Sequence, residues 1–188
     1  GSIALMAALD YPELVGSLIL GEPSPFPSLL NEEGLSLLSE QKAKFDESIR
    51  LAENGDEESA VREFLHTVVG VDVLDLLPDE RRSVVLENAE TLLPMLRTYY
   101  ESPMLSREQL KRANVPTLLV TGEFSPRISR LSNEMINRCL PNSRTVVLQG
   151  ASHGLQIENP EGFNRLALAF LAANANLDGS AKKRQSYK

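Results

Sequence analysis

Three short apolar runs separated by helical sequence constrain the fold of this chain more than any other feature. Val15–Gly16–Ser17–Leu18–Ile19–Leu20 closes on Gly21 and Pro23, Val115–Pro116–Thr117–Leu118–Leu119–Val120–Thr121 closes on Gly122, and Arg144–Thr145–Val146–Val147–Leu148 leads to Gly150. Runs of this length bounded by turn residues read as buried strands. An apolar helix, Ile3 to Leu9, precedes the first run, and a helix through Met135 to Leu140 separates the second from the third. A last amphipathic helix starts at Asn159–Pro160 and carries Phe163, Leu166, Phe170 and Leu171. Strands alternating with helices predict an α/β fold with a parallel sheet and right-handed crossovers.

The interval between the first and second runs has a different character. From about Asn31 to Arg112 the periodicity is helical and no strand pattern occurs. Glu32 to Asn54 ends at Gly55, and Asp56 caps a stretch that runs to Val69 before Gly70. Pro78 opens a third stretch, which carries Val84, Val85, Leu86, Leu92 and Leu93 on to about Tyr100. Ser106 is the N-cap of a shorter helix to Ala113. Such a block is too long for a loop and predicts an inserted helical subdomain. The expected organisation is core over 1–27, helical insert over 28–112, core over 113–175 and a polar, disordered tail over 176–188.

Composition narrows the partners. A formal net charge of −7 argues against nucleic acid or an anionic membrane, both of which attract clustered cations. Lys182–Lys183–Arg184 reads as a solvated terminus. The one cysteine, Cys139, excludes an intrachain disulfide framework and fits a reducing, cytoplasmic compartment. With Ile136 and Leu140 beside it, it reads as a small buried thiol rather than a nucleophile. No apolar run approaches a membrane span. Metal-ligand clusters, phosphate loops and dinucleotide fingerprints are absent from the pattern, so no cofactor is expected and the partner is a small molecule.

The order of motifs resembles the C-terminal part of the α/β-hydrolase family. Gly1–Ser2–Ile3–Ala4–Leu5–Met6–Ala7–Ala8–Leu9–Asp10–Tyr11–Pro12–Glu13–Leu14–Val15 resembles the helix after the nucleophile turn, leading into the sixth strand. Val115 to Gly122 resembles the seventh strand and its turn. Leu148–Gln149–Gly150–Ala151–Ser152–His153 and Glu158–Asn159–Pro160–Glu161–Gly162–Phe163–Asn164 resemble the histidine loop and closing helix. The helical insert sits where the family places its cap. The resemblance covers nearly the whole chain short of the tail.

It implies an α/β-hydrolase core, strands six to eight only, with an inserted helical cap and nucleophile–histidine–acid chemistry. His153, on a loop just past a strand and flanked by small residues, is the expected general base. The alternative is a solvated loop histidine. His66, beside Leu65 and Val68, reads as a partly buried helix residue. The family's nucleophile turn, G-x-S-x-G, is expected upstream of Gly1, so the chain reads as a fragment that is inactive by itself. Ser2 does not replace it, because Ile3 and Ala4 follow where the bend needs glycine.

The acid is ambiguous. Many members read G-x-x-D-P after the seventh strand, whereas this chain reads Gly122–Glu123–Phe124–Ser125–Pro126. Some relatives, haloalkane dehalogenases among them, take the acid from the end of the sixth strand, where Glu22 stands. Glu22 ranks first and Glu123 second, with a water-supported dyad third. Glu123 could equally pin its own turn. Phe26, Phe45, Phe64, Leu65, Leu92, Met95, Tyr99 and Tyr100 are candidates to line an apolar pocket, though apolar residues at helical spacing are mostly core. The implied activity is hydrolysis of a small apolar ester-like substrate. The alternatives are a haloalkane dehalogenase or epoxide hydrolase-like enzyme, if the nucleophile is aspartate, or a non-catalytic ligand-binding protein of the same fold.

Overall fold

A computed structural model describes residues 1–98 and 105–175. The chain divides into two compact units, Gly1–Leu30 with Leu105–Lys188, and Asn31–Met104.

The first unit is built on a parallel sheet of β1 (Leu18–Gly21), β2 (Thr117–Gly122) and β3 (Ser143–Leu148), in the order β1-β2-β3. Leu18 lies beside Thr117, and Thr117 beside Ser143, so the strands start in register and end together at Gly21, Gly122 and Leu148. β2 is central and buried throughout, which is why it reads as a continuous apolar run. β3 is an edge strand, with Arg144, Thr145 and Val147 exposed. One apolar cluster joins Leu118, Val120 and Leu148 to Leu155 and Phe170 of the C-terminal helices. Helix α7 (Arg127–Cys139) buries Ile128, Leu131, Met135 and Ile136 and packs against β2 and β3. Cys139 is buried at its end.

The ends of all three strands differ from those of the apolar runs. β1 begins at Leu18 rather than Val15, because its pairing with β2 begins there and a short 3-10 turn, Pro12–Leu14, precedes it. β2 begins at Thr117 rather than Val115, since Pro116 has no N–H to give a ladder, and it extends to Gly122. β3 gains Ser143, the register partner of Thr117. Helix α1 (Ser2–Asp10) buries Leu5 and Ala8.

The unit boundaries also differ from the expected 27/28 and 112/113. Helix α6 (Arg107–Arg112) carries a complete capping box between Ser106 and Gln109, and its Leu110 is fully buried. It packs on α1 and α7. Arg107 donates to the Leu29 carbonyl and Ser28 to the Leu105 carbonyl, so residues 28–30 and 105–112 belong with the sheet. A helical pattern cannot show which body a helix packs against.

The second unit comprises α2 (Glu32–Glu53), α3 (Glu57–Val69), α4 (Asp79–Glu87) and α5 (Leu92–Thr98), without a strand among its described residues. Asn31 and Asp56 cap α2 and α3 through Gly34 and Ser59, and α3 ends on Gly70 at φ 91°, a left-handed cap that glycine adopts without penalty. Its core joins Phe45, Val61, Leu74, Leu92 and Leu96. The expected single helix from Pro78 to Tyr100 is two, broken at Asn88, whose side chain donates to the Val84 carbonyl and competes with the helical ladder. On the surface, Arg62 bridges Asp72, Asp75 and Glu58, and Arg82 joins Glu58 and Asp75. The expected disordered tail, 176–188, lies outside the described residues.

Candidate active site

Parallel strands that end together present a row of loops at one edge of a sheet, where α/β folds gather their ligand-binding groups. Glu22 follows β1 directly, Thr121 and Gly122 end β2, and His153 lies on the loop after β3. Glu22 is almost fully buried, and its backbone has φ 41°, the one positive value among the described non-glycine residues. It precedes Pro23, a position that favours extended backbone. Holding a glutamate there costs on the order of 1–3 kcal/mol, which such structures tolerate mostly at functional sites. Its N–H donates to the Val120 carbonyl at 3.2 Å, extending the β1–β2 ladder by one bond.

The Glu22 carboxylate is fully engaged. Oε1 accepts from the Thr121 hydroxyl at 2.9 Å and the Gly122 N–H at 3.0 Å, while Oε2 lies 2.7 Å from His153 Nδ1. The buried Ser125 hydroxyl, which accepts the Gly122 N–H at 3.1 Å, also favours the charged carboxylate. Burial opposes ionisation of Glu22, but the hydrogen bonds from His153, Ser125, Gly122 and Thr121 outweigh it and hold the carboxyl below its ordinary 4.5. An ionised carboxylate only accepts, so the His153 proton sits on Nδ1 and a neutral ring offers its Nε2 lone pair as a base.

The loop that carries His153 passes close over Gly122. A Cβ there would stand 2.5 Å from the carbonyl oxygens of both Ala151 and Ser152, so only glycine fits. The Phe124 N–H donates to the Ala151 carbonyl at 2.9 Å, joining the turn after β2 to the loop after β3.

Solved structures share this arrangement of elements. The chain superposes on MGS-M2, an α/β hydrolase from a Medee basin deep-sea metagenome library, with TM-score 0.66 and 19% identity over 91% of this chain and 61% of that one. It superposes on MenH from S. aureus with TM-score 0.65 and 22% identity over 92% and 66% of the two chains.

The chain has the α/β-hydrolase fold.

Curated relatives agree with it. The chain is 26% identical over 183 residues to a putative 2-succinyl-6-hydroxy-2,4-cyclohexadiene-1-carboxylate synthase of Bacillus subtilis, covering 92% of this chain and 63% of the relative. It is 29% identical over 119 residues to Protein ABHD14A of Rattus norvegicus, covering 52% and 49%. It is 25% identical over 174 residues to a pimeloyl-[acyl-carrier protein] methyl ester esterase of Yersinia enterocolitica, covering 90% and 65%. The chain therefore spans between about half and two thirds of the length of these relatives. No protein-family model matches it.

Within the α/β-hydrolase fold, the structure brings Glu22 to His153 and places Glu123 elsewhere. Glu123 is exposed, and its Oε2 accepts the Gly150 N–H at 2.9 Å, pinning the turn after β3. His66 is exposed near the end of α3 rather than partly buried, because the buried face there is formed by Val61 and Thr67. Thr121 and Ser125 were not singled out by sequence as donors to the acid. Their signal was weak: two hydroxyls flanking a strand-end glycine, with nothing to say what faces them.

The apolar candidates divide. Phe45 and Leu92 are buried core of the second unit, and the Phe45 and Phe64 rings meet at a tilt of 35° with centroids 5.7 Å apart. Phe26 is buried in the first unit. Phe64, Leu65, Leu92 and Met95 line a cavity of about 340 Å³ within the second unit, with Val61 and Val85. Tyr99 and Tyr100 lie outside the described residues. A larger cavity of about 760 Å³ opens at the opposite ends of the strands from His153, between Leu9, Val15, Val115 and Asn142. Among the described residues no group of three or more His, Cys, Asp or Glu side chains could hold a metal ion, and no helix is long and apolar enough to cross a membrane.

Proposed function

We propose that this chain carries the histidine and acid of a nucleophile–histidine–acid hydrolase acting on a small apolar ester-like substrate. The observation that carries the reading is the 2.7 Å contact between His153 Nδ1 and the buried Glu22 carboxylate. Glu22 fixes the imidazole tautomer and orientation and stabilises the imidazolium that forms during reaction. His153 Nε2 takes the proton of an attacking serine and returns it to the leaving alcohol; water then clears the acyl-enzyme by the same route. The serine is supplied by residues outside these 188, consistent with a chain that spans only part of its relatives. The name of the Yersinia relative, a methyl ester esterase, supports the ester class.

A second reading has aspartate as nucleophile and opens a carbon–halogen bond or an epoxide. The acid's place after β1, rather than after β2, favours it.

The test is to express the protein with its upstream reading frame and assay p-nitrophenyl acetate and butyrate beside a haloalkane and an epoxide. Ester turnover abolished by His153→Ala carries the first reading. Haloalkane or epoxide turnover with an aspartate at the nucleophile turn selects the second. Glycine or alanine at that turn, with no turnover of any substrate, overturns both in favour of a binding protein.

A further inference from the structure

The His153 side chain is 39% exposed on a loop, whereas the Glu22 carboxylate that it meets is buried. A ring with that freedom keeps one partner only if the backbone beneath it is fixed, since ordering a side chain and its loop costs conformational entropy. Three tethers act on the start of the loop. Asn159 Nδ2 donates to the Gln149 carbonyl, Gly150 N–H donates to Glu123, and Phe124 N–H donates to the Ala151 carbonyl. They hold residues 149–151 and leave the two neighbours of His153 to another group.

That group is Glu158, at the end of the short helix α8 (Leu155–Glu158). Its Oε2 accepts the Ser152 N–H at 2.8 Å, and its Oε1 accepts the Ser152 hydroxyl at 2.6 Å and the Gly154 N–H at 2.9 Å. The carboxylate thus binds the residue before His153 and the residue after it. A role confined to its own turn would need only the Gly154 bond. The two bonds to Ser152 reach across His153, and charge-assisted bonds of this kind are stronger than neutral ones. Position 154 is shaped to allow it: a Cβ there would stand 2.6 Å from Glu158 Oε1.

We propose that Glu158 is a positioning residue that clamps the backbone on both sides of His153 and so keeps its Nδ1 on Glu22. The inference rests on the hydrolase reading above for its kinetic consequence, but not for its structural one.

The test is Glu158→Gln in the full-length protein. The carboxamide keeps the size but offers one acceptor oxygen to three donors. Three readouts are followed: kcat and KM separately, thermal stability, and the proton resonance of the His153 Nδ1–H in its hydrogen bond to Glu22. The expected result is a fall in kcat of about tenfold or more with KM within about twofold, the pattern of a lost transition-state geometry. The Nδ1–H resonance should broaden or vanish. Glu158→Asp, which keeps both acceptors one methylene shorter, should recover part of each. Should Glu158→Gln fail to fold, Ser152→Ala removes one of the three bonds and should shift the resonance in the same direction, less far.

An unchanged Nδ1–H resonance with unchanged kcat in a folded Glu158→Gln variant, or an unchanged resonance in Ser152→Ala if the first variant is lost, overturns the clamp. A loss of resonance in Glu158→Gln, together with full turnover in His153→Ala, leaves the clamp standing and overturns the hydrolase reading instead.

Discussion

Glu22 Oε2 and His153 Nδ1 lie 2.7 Å apart although the two residues stand 131 positions apart in the chain. The pair exists because β1 and β3 flank the same central strand and end at the same edge, so that the residue after one and the loop after the other converge.

Removal of the imidazole should be the most damaging single change to turnover. His153→Ala in the full-length protein should lower kcat by at least ~10³-fold, the order lost when a member of such a triad is removed. His66→Ala, exposed on α3, should stay within about twofold of the parent, inside the range of a surface substitution. Steady-state ester hydrolysis measures both, and an active His153→Ala enzyme would sink the assignment.

Glu22 and Glu123 should separate under the same conservative change. Glu22→Gln keeps the volume but lets the amide donate toward His153, and should cost on the order of 10²–10⁴-fold in kcat. Glu123→Gln weakens a bond from the Gly150 N–H at an exposed site and should cost about 1 kcal/mol of stability or less. Comparison of kcat with the midpoint of urea unfolding for each variant distinguishes the two roles; equal kinetic losses would refute the ranking.

Glu22 should also shape the acid limb of stability. Its folded carboxyl titrates below 4.5 and its unfolded one near 4.5, so the unfolded state takes up a proton first as pH falls. The stabilisation is therefore complete above pH 4.5 and is lost as the pH drops below it through the folded value. Thermal unfolding between pH 3 and pH 6 should show a steeper acid decline in the parent than in Glu22→Gln. Parallel curves would argue that the carboxylate is not held ionised.

Gly122→Ala should displace the histidine loop without touching any ionisable group. Its methyl meets the backbone carbonyls of Ala151 and Ser152, which have no rotamer by which to yield. Overpacking of this kind costs about 1–3 kcal/mol or more. Turnover and Tm should fall together, and the Nδ1–H resonance of His153 should move. A variant indistinguishable from the parent in all three would show the approach of the two loops to be looser than described.

Phe45 carries the second unit's core. It is 1% exposed and packs with Val61, Leu74, Leu92 and Leu96, so Phe45→Ala should cost about 3–5 kcal/mol. Against a typical stability of ~5–15 kcal/mol this is a large fraction. Urea unfolding should show an early transition, and loss of less than about 1 kcal/mol would mean the unit refills the cavity.

What the sequence determined by itself was local. Apolar runs closed by glycine marked the three strands, and Asp56, Ser106 and Asn159 marked helix starts, because a capping side chain bonds a backbone N–H only a few residues away. The small residues around His153 were equally plain. Sequence order also placed a helical block between two strands, and so an insertion in an α/β chain. The tertiary structure decided whatever depended on distant partners. Strand ends followed the register of neighbours, and α6 joined the sheet because Leu110 is buried there, neither of which a periodicity records. Glu22 and Glu123 were both credible acids until the parallel register of β1, β2 and β3 set one against His153 and the other against Gly150. A carboxylate's partner is fixed by the convergence of loops across a sheet edge, and that convergence is a property of pairing rather than of any segment read alone.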